Sequence, residues 1–206
     1  MGPRERARPF GFATCGGLKH MTNLPCRLLC IDLQADAVPG CEPDPAAVMA
    51  ARNLLSVGRR LGWTIAHTRR RTRPVIRTRN GLQATSVNPL MTEQVFFHDG
   101  RSIAEAFGLS ALLRSWREET VLVAAYDPVA LLSCVLVCQE PGPRLMLVED
   151  VMPMKALEGA ARVGLFHGDD WRHSFKATTL TRLVKDAGRA TGVHVLPLPE
   201  THQPGF

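Results

Sequence analysis

The sequence predicts an α/β fold in which helices cover both faces of a doubly wound, mostly parallel, six-stranded sheet. Short apolar runs of strand length alternate along the chain with amphipathic segments of helix length. The runs at 28–31 and 120–125 are almost free of polar residues, which is typical of parallel strands buried on both faces. Helical crossovers between such strands are right-handed, so the sheet is expected to form a Rossmann-like three-layer arrangement.

Length and composition indicate one domain. The chain has 206 residues, of which 45% are hydrophobic, enough for one full core. Residues 1–20 are basic and contain Gly and Pro, and we interpret them as a disordered or non-native extension before a single domain at 21–206. No segment has the length of a membrane span, and the six cysteines form no paired CxxC framework, so a reduced cytoplasmic protein is the expectation.

The first half of the chain contains two strands and one well-marked helix. Apolar positions recur at helical spacing from Pro43 to Leu61, Asp44 offers an N-cap, and Gly62 suits the left-handed residue after the helix. Residues 63–68 follow as the second strand. The arginine-rich segment 69–88 lacks an apolar period and is predicted to be a surface loop.

The second half continues the alternation. Residues 93–98 predict a third strand, 102–116 a helix interrupted by Gly108, and 120–125 a central strand. Asp127 and Pro128 then predict the N-cap and first residue of an apolar helix over 129–138. A fifth strand at 144–148, a helix at 173–187 and a sixth strand at 193–196 complete the prediction.

Polar side chains follow the first strand at the point where it ends. Asp32, Gln34 and Asp36 come directly after an apolar run. Ligands of open α/β sheets bind beyond the carboxyl ends of the strands, so these side chains are candidates for the floor of a cleft. An ordinary solvated turn is the alternative.

The segments IDLQAD (31–36) and LLSVGRRLGWTIAHT (54–68) resemble the isochorismatase-like cysteine hydrolase superfamily, and the resemblance extends over 28–195. It implies hydrolysis of amides, or of an enol ether in one branch, by an Asp, a Lys and a Cys from the ends of three strands. Backbone N–H groups at a helix N-terminus stabilise the thiolate form of a Cys, and the Lys cation stabilises the same anion. Asp32 matches the Asp of this family.

Two positions depart from the family pattern. His98 stands at the Lys position, four residues before Ser102, and Ala130 stands where the resemblance implies the nucleophilic Cys. The nearest thiol is Cys134, about one helical turn further on. Cys134 is interpreted as a buried core residue, and a displaced nucleophile remains the alternative.

The resemblance therefore leads to two functional hypotheses. The first is a catalytically degenerate protein that retains a cleft for a small, possibly anionic or amide-bearing ligand. The second is an active amide or C–O hydrolase that uses Asp32 and His98 with Cys134 or an activated water. The candidate ligand contacts are Gln34, Asp36, Arg101 and Tyr126.

The expected partners are a small molecule and further copies of the chain, without nucleic acid or membrane. The arginine-rich segment lacks interleaved aromatic residues, and no phosphate-binding glycine motif occurs, which disfavours nucleic acid and nucleotide cofactors. Where some relatives carry an Asp-x-His metal motif, this chain has Cys41, Glu42 and Asp44, so neither a metal nor a cofactor is expected.

Overall fold

The structure, a computed structural model, contains a six-stranded, all-parallel sheet in the order β3-β2-β1-β4-β5-β6. It describes residues 25–34, 43–71, 87–99, 102–138, 142–162 and 170–191. The strands are β1 Arg27–Ile31, β2 Thr64–Arg70, β3 Gln94–His98, β4 Thr120–Ala125, β5 Arg144–Val148 and β6 Phe175–Thr178. The helices are α1 Pro45–Arg60, α2 Leu109–Ser115, α3 Pro128–Val137, α4 Met154–Ala160, α5 Asp170–Ser174 and α6 Leu180–Thr191, with a 3-10 helix at Ile103–Glu105.

The strand register brings the carboxyl ends of β1, β2 and β4 together. Ile31, the last residue of β1, pairs with Thr68 of β2 and with Ala125 of β4. Chain connectivity reverses between β1 and β4, which makes this edge the topological switch point where α/β proteins bind ligands. The predicted fold class is confirmed, and the sheet is entirely rather than mostly parallel.

Alternate residues of the central strands supply two separate apolar cores. One core lies between the sheet and α1 and α6, and the other lies between the sheet and α2 to α5. β1 contributes Leu28 and Cys30 to the first core and Leu29 and Ile31 to the second. The near-continuous apolar strands follow directly from this burial on both faces.

The predicted helix boundaries are confirmed where capping residues mark them. The Asp44 carboxylate accepts the Ala46 N–H at 2.9 Å, and the Asp127 carboxylate accepts the Val129 N–H at 2.8 Å. Gly62 follows α1 with a φ of +67°, and Gly108, with a φ of +86°, separates the 3-10 helix from α2. Both glycines occupy the left-handed region that other residues adopt at a cost.

The structure corrects three parts of the predicted element pattern. β2 continues through Arg69 and Arg70, so the loop predicted to begin at residue 69 is wrong for these two residues. The predicted helix 173–187 is wrong over 175–178, which form the sixth strand, paired in parallel with β5. The position of Phe175 fits the apolar spacing of a helix and that of a strand. Backbone pairing with the open edge of β5 selects the strand. The short helix α4 was not predicted.

Some predictions lie outside the described residues. These are the extension 1–20, most of the arginine-rich segment and the strand predicted at 193–196. Within the described ranges, no helix is long and apolar enough to cross a membrane.

Candidate functional site

Asp32 occupies a constrained position at the carboxyl end of β1. Its side chain is fully buried, and its φ of +45° makes it the non-glycine residue with positive φ in the described chain. Its N–H donates to the Thr68 carbonyl at 3.2 Å, and Thr68 Oγ1 also lies 3.2 Å from that nitrogen. Asp tolerates the left-handed region better than most residues, so the sequence suits this turn of the chain out of the sheet.

Both oxygens of the Asp32 carboxylate have partners. Oδ1 accepts the Thr68 hydroxyl at 2.8 Å. The imidazole Nε2 of His98, the last residue of β3, lies 3.0 Å from Oδ1 and 3.1 Å from Oδ2. An ionised carboxylate only accepts hydrogen bonds, so the hydrogen of this contact is on Nε2. The ends of β1 and β3, which are separated in the sheet by β2, are thus connected through one buried carboxylate.

Within the described part of the chain, Arg70 brings a guanidinium to this site. Its Nη2 atom lies 3.9 Å from Oδ2 of Asp32 and 3.9 Å from Oδ2 of Asp127. It therefore connects the end of β1 with the N-cap of α3. Arg70 is absent from the predicted site residues because it stands in a run of arginines, although polar side chains at the end of β2 also face the ligand edge.

The Gln34 side chain binds the backbone of a neighbouring strand. Its Oε1 accepts the Arg70 N–H at 2.9 Å, and its Nε2 donates to the Arg70 carbonyl at 3.3 Å. This pair of bonds continues the ladder between β1 and β2 by one step. Asp36 and Arg101, the other polar ligand candidates, lie outside the described residues.

The first turn of α3 carries a methyl group at the position of the expected nucleophile. Asp127 caps the helix, Pro128 and Val129 are its first two residues, and Ala130 is the third. Ala130 is 1% exposed and packs in the core between the sheet and α2 to α5. The turn that would present a thiol to Asp32 is thus built from apolar side chains.

Cys134 lies one turn further along α3 and is fully buried. Its Sγ lies 3.8 Å from Sγ of Cys138, and this contact, followed by burial, raises the pKa of the Cys134 thiol well above its usual value. The described partners of the Asp32 carboxylate are Thr68, His98 and Arg70, and none is a sulfur. The predicted core location of Cys134 agrees with this geometry.

Tyr126 follows β4 but packs on the other side of the sheet from α3, in the core beneath α1 and α6. It is 8% exposed, and its hydroxyl has no hydrogen-bond partner among the described residues. Burial raises the pKa of this phenol. The structure therefore leaves a buried polar atom beside the switch point, at a residue predicted to contact a ligand.

A second buried polar cluster connects β2, α1 and the entry to β3. His67 Nε2 lies 2.9 Å from Oε2 of Glu93, and Arg59 donates to both Glu93 oxygens at 2.7 and 2.9 Å. Burial lowers the pKa of His67. Burial raises the pKa of Glu93, but hydrogen bonds from Arg59, the Leu90 N–H and His67 outweigh it and leave the pKa below its usual value.

The described residues offer no obvious metal site. Within them, no group of three or more His, Cys, Asp or Glu side chains is placed to hold an ion. His67 lies in β2 and is engaged with Glu93, in agreement with its prediction as a sheet residue.

No protein-family model and no curated protein matches the chain, but 43 solved protein chains match its structure. A protein described as a hydrolase of the isochorismatase family from Chromobacterium violaceum superposes with a TM-score of 0.56 at 20% identity, covering 89% of this chain and 100% of that one.

Two further structures give the same picture. An isochorismatase family protein from Desulfovibrio vulgaris has a TM-score of 0.53 at 19% identity and covers 77% of this chain and 96% of its own. A cysteine hydrolase from Pseudomonas syringae has a TM-score of 0.54 at 13% identity, with 82% and 95% covered. The chain has the isochorismatase-like hydrolase fold, as the sequence resemblance implied.

Proposed function

We propose that this protein is a catalytically degenerate isochorismatase-like protein that binds a small molecule at the carboxyl edge of its sheet. The observation that carries the proposal is the buried methyl group of Ala130 in the first turn of α3. Covalent hydrolysis in this fold family requires a thiolate at that turn, where free N–H groups and the helix dipole stabilise it. A methyl group has no nucleophilic electron pair, so Ala130 cannot take the place of that thiolate.

The remaining acid and base groups are poorly placed for activating water. Asp32 and His98 have side chains with no exposed surface, and they are hydrogen-bonded to each other. A general base must reach the water or substrate whose proton it takes. Because neither side chain reaches solvent, water has no direct access to them, which favours a structural role for the pair.

A hydrolase with a displaced nucleophile is the second candidate. The Asp32–His98 hydrogen bond favours it, because paired ionisable groups are the usual apparatus of proton transfer. The environment of Cys134 opposes it, because a buried thiol with a raised pKa forms little thiolate.

The charges of the site favour a neutral, amide-bearing ligand over an anion. Among the described residues, the carboxylates of Asp32 and Asp127 both lie beside the guanidinium of Arg70. Even with His98 protonated, these side chains carry no net positive charge. An anionic ligand would require a cation from another part of the chain, such as Arg101. The Tyr126 hydroxyl is a further polar group at this edge, buried and without a hydrogen-bond partner among the described residues.

Thiol labelling and a matched ligand pair test the proposal. The native chain is treated with iodoacetamide at neutral pH, and Cys134 is expected to remain unmodified. Hydrolysis of a panel of amides and esters is expected to equal that of the Asp32→Asn variant. Benzamide is expected to raise the melting temperature more than benzoate, which has the same shape and a negative charge.

Two outcomes would overturn the proposal. One is amide hydrolysis by the native chain that disappears in both Asp32→Asn and Cys134→Ala. The other is rapid alkylation of Cys134 that benzamide suppresses.

A further inference from the structure

The last turn of α3 holds two thiols on one face. Cys134 is fully buried and Cys138, the C-cap residue, is partly buried, with their Sγ atoms 3.8 Å apart. Residues four apart on a helix lie one above the other, which explains the contact. The Cys138 N–H also donates to the Cys134 carbonyl at 2.9 Å, so the pair closes the final helical turn. The proposed ligand site uses neither thiol.

The spacing of the two thiols suits a single bridging atom better than a disulfide. Helical positions four apart separate Cβ atoms by about 5–6 Å, whereas a disulfide needs roughly 3.5–4.5 Å. Two bonds of about 2.3 Å, the length of a metal–thiolate bond, place tetrahedrally arranged sulfurs roughly 3.8 Å apart. The observed separation therefore fits a bridge through one soft atom without opening the helix.

The surroundings favour a neutral product over a charged one. Cys134 packs in the apolar core between the sheet and α2 to α5. A divalent metal ion would require both thiols to ionise in this core, and two sulfurs leave its coordination incomplete, since the described residues offer no third ligand. A trivalent arsenical forms an uncharged product with two neutral thiols.

We propose that Cys134 and Cys138 form a capture site for trivalent arsenicals. With phenylarsine oxide as the reagent, two S–H bonds and the arsenic–oxygen bond break and two As–S bonds form. The two protons leave with the oxygen as one water molecule, and no electrons are exchanged. The partly buried Cys138 forms the first bond, and Cys134 closes the ring. The inference is independent of the proposed ligand site, because it requires no chemistry at Asp32.

The chain contains a matched control with the same spacing. Cys26 and Cys30 are also four residues apart, but they lie on extended chain, Cys26 directly before β1 and Cys30 within it. Four residues of extended chain span about 13 Å, which no single atom bridges. The Cys26 thiol instead contacts Oε2 of Glu119 at 3.5 Å.

The test uses the reduced full-length chain and phenylarsine oxide, followed by excess glutathione to remove arsenic held by a single sulfur. Intact mass spectrometry is expected to show one retained phenylarsenic group, and titration is expected to show the loss of two thiols. Trypsin places both residues on the peptide 118–144, away from Cys26 and Cys30. Protection from alkylation after denaturation is expected on that peptide alone, and a dithiol reagent should release it.

The variants separate the two cysteine pairs. Cys138→Ser and Cys134→Ser are expected to lose the glutathione-resistant adduct, whereas Cys26→Ser and Cys30→Ser should retain it fully. A native chain without a retained adduct would overturn the proposal, as would protection mapped to any other peptide. Mapping on the native chain decides the matter even if Cys134→Ser does not fold. An active hydrolase with an arsenical adduct at α3 would refute only the proposed function.

Discussion

The imidazole of His98 contacts both carboxylate oxygens of Asp32, at 3.0 and 3.1 Å, with neither side chain exposed to solvent. This contact joins the end of an edge strand to the end of a central strand, across β2. A buried carboxylate is tolerated only when hydrogen bonds and opposite charge compensate for its lost hydration. We infer that the pair stabilises the carboxyl edge of the sheet whatever ligand binds there.

Replacement of His98 is expected to destabilise the fold strongly. The variant His98→Ala leaves the buried Asp32 carboxylate with the Thr68 hydroxyl but without the imidazole, and the expected loss in the free energy of unfolding is about 3–5 kcal/mol. His98→Gln retains an N–H donor and should lose less. Urea denaturation followed by circular dichroism measures both.

The neighbouring surface pair provides the control for His98. Arg71 and Asp99 form an ion pair at 3.5 Å with both side chains largely exposed. Exposed pairs contribute at most about 1 kcal/mol, so Asp99→Asn should change the free energy of unfolding little. Equal losses in Asp99→Asn and His98→Ala would contradict the role assigned to the buried pair.

Asp127 combines two roles that substitutions can separate. Its Oδ1 caps α3 through the Val129 N–H, and its Oδ2 lies 3.9 Å from Arg70. Asp127→Ala removes both roles and should cost about 1 kcal/mol, the usual value of an N-cap. Asp127→Asn retains the cap and loses only the charge, so it should cost less than half as much in the same denaturation experiment. If both variants lose the same free energy of unfolding, the ion pair with Arg70 contributes more to stability than the N-cap does.

The sequence predicted the parts of the fold that local chemistry determines. Asp44, Asp127 and Gly62 marked helix ends because capping depends on residues within one turn, and the apolar runs identified five strands. The edge strand at 175–178 was not predicted, because its conformation depends on pairing with β5, which is remote in sequence. Short apolar segments of this kind fit both elements equally well.

The residues of the candidate site were also predictable only in part. The strand-end rule found Asp32, and the family resemblance pointed to His98, which contacts it. Arg70 could not be recognised as a strand-end residue, because arginines follow it directly and no sequence pattern marks the end of β2. Which of several neighbouring arginines turns towards a carboxylate depends on strand length, and that became visible only in three dimensions.

Acid should weaken the fold through His67 and Glu93. Burial lowers the pKa of His67 from its usual 6.5. When the pH falls below 6.5, the unfolded chain therefore binds a proton at His67 more readily than the folded chain does. The pKa of Glu93 is also lowered, and its contribution is lost as the pH falls below its usual 4.5 towards the folded value. Both effects make the free energy of unfolding decrease as the pH falls.

Denaturation curves measured over a pH series test this linkage. The native chain should lose stability steadily from neutral pH to below 6.5, and His67→Gln should show a shallower loss in that range because it cannot bind the proton. His173 is exposed on α5, so His173→Gln serves as the matched surface substitution of the same kind. A His67→Gln chain with the native slope would show that another group carries the dependence.

Two glycines should respond to the same substitution with opposite signs. Gly62 has a φ of +67° and Gly159 lies on the exposed side of α4, and neither has an atom within 4 Å of the position a Cβ would take. A new methyl group therefore has the same free space at both positions, and the two positions differ in backbone conformation. Gly62→Ala should lose about 1 kcal/mol, because an L-residue in the left-handed region places its Cβ against the following carbonyl. Gly159→Ala should gain ~0.5–1 kcal/mol, because alanine restricts the unfolded chain and favours the helix. Melting temperatures measured by calorimetry should move in opposite directions, and a shift of the same sign in both variants would contradict the backbone conformation described at Gly62.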